Sequence, residues 1–248
     1  MLRIKLVAMR ILSWNVNGIR SISRKGTLSV VNDFDVVLLQ EVRSSDLPLD
    51  VLSMGFNVYG LPAVRKGYSG VLTLSKINPI NVIRGIGVRD FDDEGRVITI
   101  ELGEFYIINA YFPRAGDDLS RLQFKLNFDE AIEKFTLNLV SKKPVVMCGD
   151  FNAVYDRRDS SFWDEEHPGL TPRERLWLSG FIKKGFVDTY RLIHPHDVKY
   201  TWRSFRDKDM AMRIDYCLVS SELASRVANA DILNVEGSDH YPILLELR

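Results

Sequence analysis

At 248 residues, 46% of them hydrophobic, the chain can bury one large core; its 33 basic and 33 acidic residues balance, which argues against a non-specific coat on a polyanion. No apolar run is long enough to cross a membrane, and no linker, repeat or low-complexity tract divides the sequence. The two cysteines, Cys148 and Cys217, sit in apolar runs and read as unpaired core residues, which fits a reducing compartment.

Residues 1–8 are basic and apolar but too short for a signal peptide, and no cleavage site follows. They read as an extension, and Met9 as the natural start of a single domain over 9–248. In chain order, strands are predicted at 10–16, 36–40, 70–75, 96–102, 105–111, 145–150, 213–219, 230–235 and 242–247. The pair 96–102 and 105–111, joined through Gly103-Glu104, reads as a hairpin. Helices are predicted at 119–140 and 172–184. The second begins with Thr171 as N-cap, Pro172 at N1 and Glu174 at N3, a capping box. Many strands with few helices predict an α/β (α+β) class: a layered sandwich of two packed sheets flanked by helices.

The polar residues at strand ends carry the chemistry. The apolar run 145–148 stops at Gly149-Asp150-Phe151-Asn152; residues i and i+2 of a strand share a face, so Asp150 and Asn152 emerge together. An isolated D-x-N is more simply an Asx turn. Asn15 and Asn17 repeat the spacing at the end of the first strand, Glu41 closes the second, and Tyr111 follows Asn109 in the hairpin. Alone, Glu41 reads as a solvated rim residue and Tyr111 as core. Of four histidines, His240 is best placed for proton chemistry, with Asp239 beside it and Asp215 as candidate partner; His194-Pro195-His196 reads as an exposed loop. Oxygen donors at Glu41, Asp150, Asp239, Asn15, Asn17 and Asn152 predict Mg²⁺, with Mn²⁺ as substitute, rather than zinc. A hard cation, a tyrosine, amides and an Asp–His pair suit hydrolysis of a phosphate ester.

Taken together in order, Asn15-Val16-Asn17-Gly18-Ile19-Arg20, Leu39-Gln40-Glu41, Gly67-Tyr68-Ser69-Gly70, Glu94-Gly95-Arg96, Tyr111-Phe112-Pro113, Gly149-Asp150-Phe151-Asn152, Arg213-Ile214-Asp215-Tyr216 and Ser238-Asp239-His240 resemble the exonuclease III/apurinic–apyrimidinic endonuclease family. The segments 171–175 and 185–190 resemble it too. The resemblance runs from Met9 to Arg248 and implies a four-layer α/β sandwich. It implies metal ligation by Glu41, assisted by Asn17, Asp150, Asn152 and Asp239, with Asn15 nearby. Asp150 then activates water, Asn152 and Tyr111 contact the phosphate, and His240 binds it with Asp215 fixing its tautomer. The implied activity is cleavage 5′ to an abasic site in double-stranded DNA, with 3′–5′ exonuclease and 3′-end cleaning, by a monomer in the cytoplasm at the nucleoid.

Two positions depart from the family pattern: Arg114 where it has Asn or Gln, and Met212 where it often has Trp. Arg114 keeps a phosphate donor. Met212, with Trp202 and Ile214, keeps an apolar but looser wall, which predicts relaxed selectivity. DNA contacts are expected from Arg20, Tyr68, Arg96 and Arg114 on a rim that also holds Arg24, Lys25, Lys66, Arg121, Arg157, Arg158, Arg203 and Arg206. The competing readings are a lipid or inositol-phosphate phosphodiesterase, which shares the Asp-x-Asn and Ser-Asp-His ends, and a binding module, which has no need of Glu41, Asp150 or His240.

Overall fold

The structure, a computed structural model, describes residues 8–248. The expected extension at residues 1–8 lies, Ala8 apart, outside the described residues. In chain order the strands begin with β1 (Met9–Asn15), β2 (Val36–Gln40), β3 (Asn57–Leu61) and β4 (Val71–Ser75). Next come β5 (Asn81–Arg84), β6 (Val97–Glu101), β7 (Tyr106–Tyr111), β8 (Val145–Asp150) and β9 (Phe186–Asp188). β10 (Trp202–Arg203), β11 (Ala211–Met212), β12 (Asp215–Ser220), β13 (Val227–Ile232) and β14 (Ile243–Leu247) follow. The helices are α1 (Ile19–Arg24), α2 (Leu49–Ser53), α3 (Arg89–Asp92), α4 (Leu122–Val140), α5 (Pro172–Ile182) and α6 (Thr189–Ile193). Among the described residues, no helix is long and apolar enough to cross a membrane.

Two six-stranded sheets face each other, with orders β13-β14-β1-β2-β4-β3 and β5-β6-β7-β8-β12-β9. Alternation along the strands divides the apolar residues among layers. Ile11, Val36, Leu38, Ile107, Val146 and Leu245 fill the space between the sheets. Leu12, Trp14, Val37 and Leu39 pack outward against Ile19, Ile22, Val31 and Val51 of the first helical layer. Ile108, Val145 and Met147 pack outward against Phe128, Ile132, Leu178 and Phe181 on α4 and α5. The result is the expected α/β/β/α sandwich.

Each sheet holds one parallel pair, β1–β2 and β7–β8. The C-terminal ends of these four strands meet at one edge and carry Asn15, Glu41, Tyr111 and Asp150. Gly149 makes the approach of β8 to β7 possible: a Cβ there would lie 1.8 Å from the Ala110 carbonyl oxygen. Below this edge, a buried polar layer ties the sheets together. Gln40 Nε2 donates to Asn109 Oδ1 (2.8 Å), and Asn109 Nδ2 donates to Leu72 O (3.0 Å). With neither group exposed to water, the pairing fixes how the two sheets stand relative to each other.

The predicted strands all form, 36–40 and 145–150 with the expected bounds and the others with shifted ends. Five strands are additional: β3, β5 and β9 at sheet edges and the two-residue pair β10–β11, all too short for apolar alternation to mark them. α4 starts at Leu122 rather than at 119, because Leu119 adopts a left-handed φ of 58°. α5 has its capping box: Thr171 Oγ1 accepts from Glu174 N–H, and Glu174 Oε2 accepts from Thr171 N–H at 3.3 Å. The reading of the cysteines needs correction. Both are core residues, but Cys148 and Cys217 are opposite each other in the β8–β12 register and form a disulfide. Their separation of 69 residues hid a pairing that only the register reveals. Cysteine usage therefore gives no support to a reducing compartment.

Candidate active site

A cavity of about 250 Å³ opens at the edge where the parallel strands end. Asn17, Glu41, Tyr111, Asp150, Asn152, Asp239 and His240 line it, as do Arg114, Trp202, Met212 and Ile214. The sequence reading therefore converges on one place. Asp150 and Asn152 arrive there by a route different from a shared strand face. β8 ends at Asp150, and Asn152 takes a left-handed φ of 47° while its N–H donates to Asp150 Oδ1 at 2.9 Å. Asn17 (φ 47°) repeats this, its N–H donating to Asn15 Oδ1 at 3.0 Å. The Asx turn and the functional strand end are thus one structure. Non-glycine residues in this conformation cost free energy and concentrate at functional sites.

Asp150 is almost wholly buried, at 1% exposure. Its Oδ2 accepts from Asn15 Nδ2 (2.9 Å) and Asn152 Nδ2 (3.3 Å). Burial, then the neighbouring Asp215, pushes its pKa up to about 7, against the opposing pull of His240. Asn15 Nδ2 also donates to Glu41 Oε2 at 3.0 Å, so one amide spans two carboxylates. Asn152 Nδ2 is further committed to Phe112 O at 3.0 Å, which makes it a support for Asp150.

His240 Nδ1 is 2.9 Å from Asp215 Oδ2, and its Nε2 is 3.9 Å from Asp150 Oδ2. Burial alone would push the imidazole down, but Asp215, Asp150 and Asp239 outweigh it and raise the pKa to about 10. The ring is a cation at neutral pH. Asp215 is held in turn, its N–H donating to Thr201 Oγ1 at 3.1 Å. Asp239 accepts from Asn17 Nδ2 (2.8 Å) and Trp202 Nε1 (3.1 Å). Burial works against its ionisation, yet His240 and these donors hold it below the usual carboxylate range. Burial and the nearby Glu41 and Asp150 raise Tyr111 well above 10, so the phenol is a neutral donor.

One trio among the described residues, Asp150, Asp215 and His240, brings its potential ligand atoms within 4.8 Å of one another. With no cation bound, the charged imidazole of His240 stands as the counter-ion of Asp150 and Asp215 within that trio. Glu41, Asp239 and the amides of Asn15 and Asn17 form the hard-oxygen corner, whose chemistry fits Mg²⁺ or Mn²⁺.

The expected DNA contacts separate. Met212 and Ile214 belong to a buried apolar cluster with Val154 and Leu170, against which Trp202 packs. Met212 is only 4% exposed and pairs with Trp202 across β10–β11, so the wall is closed rather than loose. Arg114 reaches the cavity from an exposed pair with Asp117 (2.5 Å). Arg20 and Tyr68 instead line an adjoining groove with Arg43, Arg65 and Lys66. Arg96 leaves the rim altogether. It is 2% exposed, donates to Tyr111 O at 3.0 Å and Tyr68 Oη at 3.1 Å, and pairs with Glu94. Its place is behind Tyr111, where a buried guanidinium fixes the strand end.

The sequence reading missed Arg43 and His167, both of which line the cavity. Arg43 was signalled by its spacing of two from Glu41; His167 carried no periodic signal. It also gave no role to a buried ion-pair network two residues before Asp215. Arg213, buried, donates to Asp159 Oδ1 (2.8 Å) and Asp188 Oδ2 (2.7 Å), pairing two carboxylates from distant segments.

The sequence matches the model of the endonuclease/exonuclease/phosphatase family over residues 12–240. It is 38% identical over 248 residues to an exodeoxyribonuclease of Bacillus subtilis, spanning 96% of this chain and 98% of that protein. It is 35% identical over 254 residues to the DNA repair nuclease APEX1 of Danio rerio, spanning 96% and 82% respectively. The fold superposes on an AP endonuclease from Archaeoglobus fulgidus with a TM-score of 0.85, over 96% of this chain and 99% of that one, at 26% identity.

Proposed function

The chain belongs to the endonuclease/exonuclease/phosphatase family, and on that premise we propose that it is a DNA-repair phosphodiesterase that cleaves double-stranded DNA 5′ to an abasic site. Trimming of 3′ ends would use the same residues. The observation that carries the reading is the buried line Asp215–His240–Asp150, in which a cationic imidazole stands between two carboxylates and Asp150 has its pKa pushed up to about 7, beside a neutral tyrosine. A base poised near neutral pH suits removal of a proton from an attacking water. His240, charged, and Tyr111, neutral, then both donate toward the phosphate oxygens that gain charge in the transition state. Asn15 and Asn152 hold Asp150 in line, and Arg114 supplies a further donor at the cavity mouth. The proton taken by Asp150 passes to solvent, and a water molecule protonates the leaving 3′ oxygen on the opposite face of the phosphorus.

Glu41 and Asp239, oriented by Asn15 and Asn17, are the residues proposed to hold Mg²⁺, with Mn²⁺ as substitute. When bound, the cation supplies Lewis-acid neutralisation of phosphate charge. The closed wall of Met212, Ile214 and Trp202 favours an abasic sugar: at about 250 Å³ the cavity falls below the roughly 300–1,000 Å³ of sites that enclose larger ligands. The basic groove of Arg20, Arg65 and Lys66 suits the flanking phosphates. We propose that it acts as a monomer, in the cytoplasm at the nucleoid. A panel of abasic, undamaged and 3′-blocked duplexes tests the reading. Preference for the abasic duplex supports it; equal cleavage of undamaged DNA contradicts the role given to the apolar wall.

A further inference from the structure

The segment carrying Glu41 is bent twice. Glu41 (φ 53°) and Arg43 (φ 55°) are both left-handed, on either side of the buried Val42. Neighbouring strands and α1 hold the bend. Gly18 N–H donates to Glu41 O (2.8 Å) and Ile19 N–H to Val42 O (3.0 Å), while Val42 and Arg43 N–H groups donate to Gly70 O (3.0 Å) and Ser69 O (2.7 Å). Such a conformation persists only where its surroundings over-determine it. The consequence is that two side chains two residues apart both face the cavity.

Arg43 folds back on Glu41, donating from Nε at 2.9 Å and also from Nη2 to the same oxygen, Oε1. The other oxygen of Glu41 is held by Asn15. Among the described residues, Arg43 alone lines both this cavity and the adjoining basic groove. Its side chain is 44% exposed against 15% for Glu41, so the guanidinium can leave while the carboxylate stays.

We propose that Arg43 is an exchangeable counter-cation that couples metal binding to strand binding. In the free protein it neutralises Glu41. A divalent cation taking that carboxylate displaces the guanidinium, which turns to a phosphodiester of the strand in the groove, where its planar fork can make a two-point contact. Metal and strand then favour each other, and by linkage the effect is reciprocal. Both halves rest on the proposed function: the metal half on a divalent cation at Glu41, the strand half on DNA as the substrate.

Mn²⁺ titration of metal-free protein, followed by electron paramagnetic resonance, tests the metal half in wild type, Arg43→Gln and Arg43→Lys. Arg43→Gln should bind Mn²⁺ about 5–10-fold tighter than wild type. Arg43→Lys, which keeps the charge but not the two-point contact, should fall between. Duplex affinity with and without Ca²⁺ tests the coupling: wild type should gain about 5-fold or more on adding Ca²⁺, and Arg43→Gln should lose that gain. Equal or weaker Mn²⁺ binding by a folded Arg43→Gln overturns the proposal. If that variant fails to fold, Arg43→Lys decides, and wild-type Mn²⁺ affinity overturns it. Duplex binding absent even from wild type would instead overturn the functional reading and the strand half, with the metal titration unaffected.

Discussion

Replacing Asp215 with asparagine keeps the shape of the side chain and removes one charge from the line Asp215–His240–Asp150. In the native protein His240 titrates near 10 rather than at its ordinary 6.5. That difference corresponds to roughly 5 kcal/mol in favour of the charged ring. Burial opposes the charged form, and Asp215 is the largest influence in its favour, 2.9 Å away. Without it, burial prevails over Asp150 and Asp239, and the ring is expected to be neutral at pH 8. Loss of a cationic donor at the phosphate should lower kcat by about 10²–10³-fold. The sign follows from the imidazole being charged only below its pKa. Wild type keeps the charge throughout pH 6–9, whereas the variant regains it only as pH falls. The wild-type to variant ratio of single-turnover rates on an abasic duplex should therefore be largest at pH 9 and narrow toward pH 6. A ratio below about 3 at pH 8, or one independent of pH, would refute the reasoning.

Glu41→Gln should weaken Mg²⁺ response by about tenfold or more, with partial recovery at high Mg²⁺, read from rate against metal concentration. Asp150→Asn should separate stability from activity. The folded-state pKa of Asp150, about 7, lies above its ordinary 3.8, so ionising it costs stability, progressively above pH 4 and fully above 7. At pH 8 in EDTA the variant should melt at least roughly 5 °C higher while turnover falls by about 10²–10⁴-fold; an unchanged Tm would contradict the burial argument. Tyr111→Phe should lower kcat without changing the alkaline limb below pH 10, because the phenol stays neutral there. Reducing the Cys148–Cys217 bond opens a 69-residue loop and should cost about 4 kcal/mol, seen as a lower Tm with kcat preserved.

Much of this was legible because strand alternation and strand ends are local. Asp150 with Asn152 and Asn15 with Asn17 announced themselves through the two-residue spacing, although the turn that unites each pair is left-handed rather than extended. Thr171, Pro172 and Glu174 marked the start of α5 to the residue. What escaped depends on long-range register and solvent. Arg96 looks like a rim cation in sequence, yet its pairing with Glu94 and Tyr111 buries it. Cys148 and Cys217 meet only because β8 and β12 run antiparallel at that register. The edge strands β3, β5 and β9 run for only five, four and three residues, too few for a period of two to stand out. Arg43 gave a spacing signal, but its contact with Glu41 requires two left-handed residues that no periodicity predicts.

The proposed reaction is metal-assisted hydrolysis of the phosphodiester 5′ to an abasic site. The most direct measurement resolves the products from an end-labelled duplex containing a single abasic site, with Mg²⁺ and with EDTA. One cut is expected immediately 5′ to the lesion, leaving a 3′ hydroxyl, with Mg²⁺ only. A cut on the 3′ side, or equal cleavage in EDTA, would contradict it.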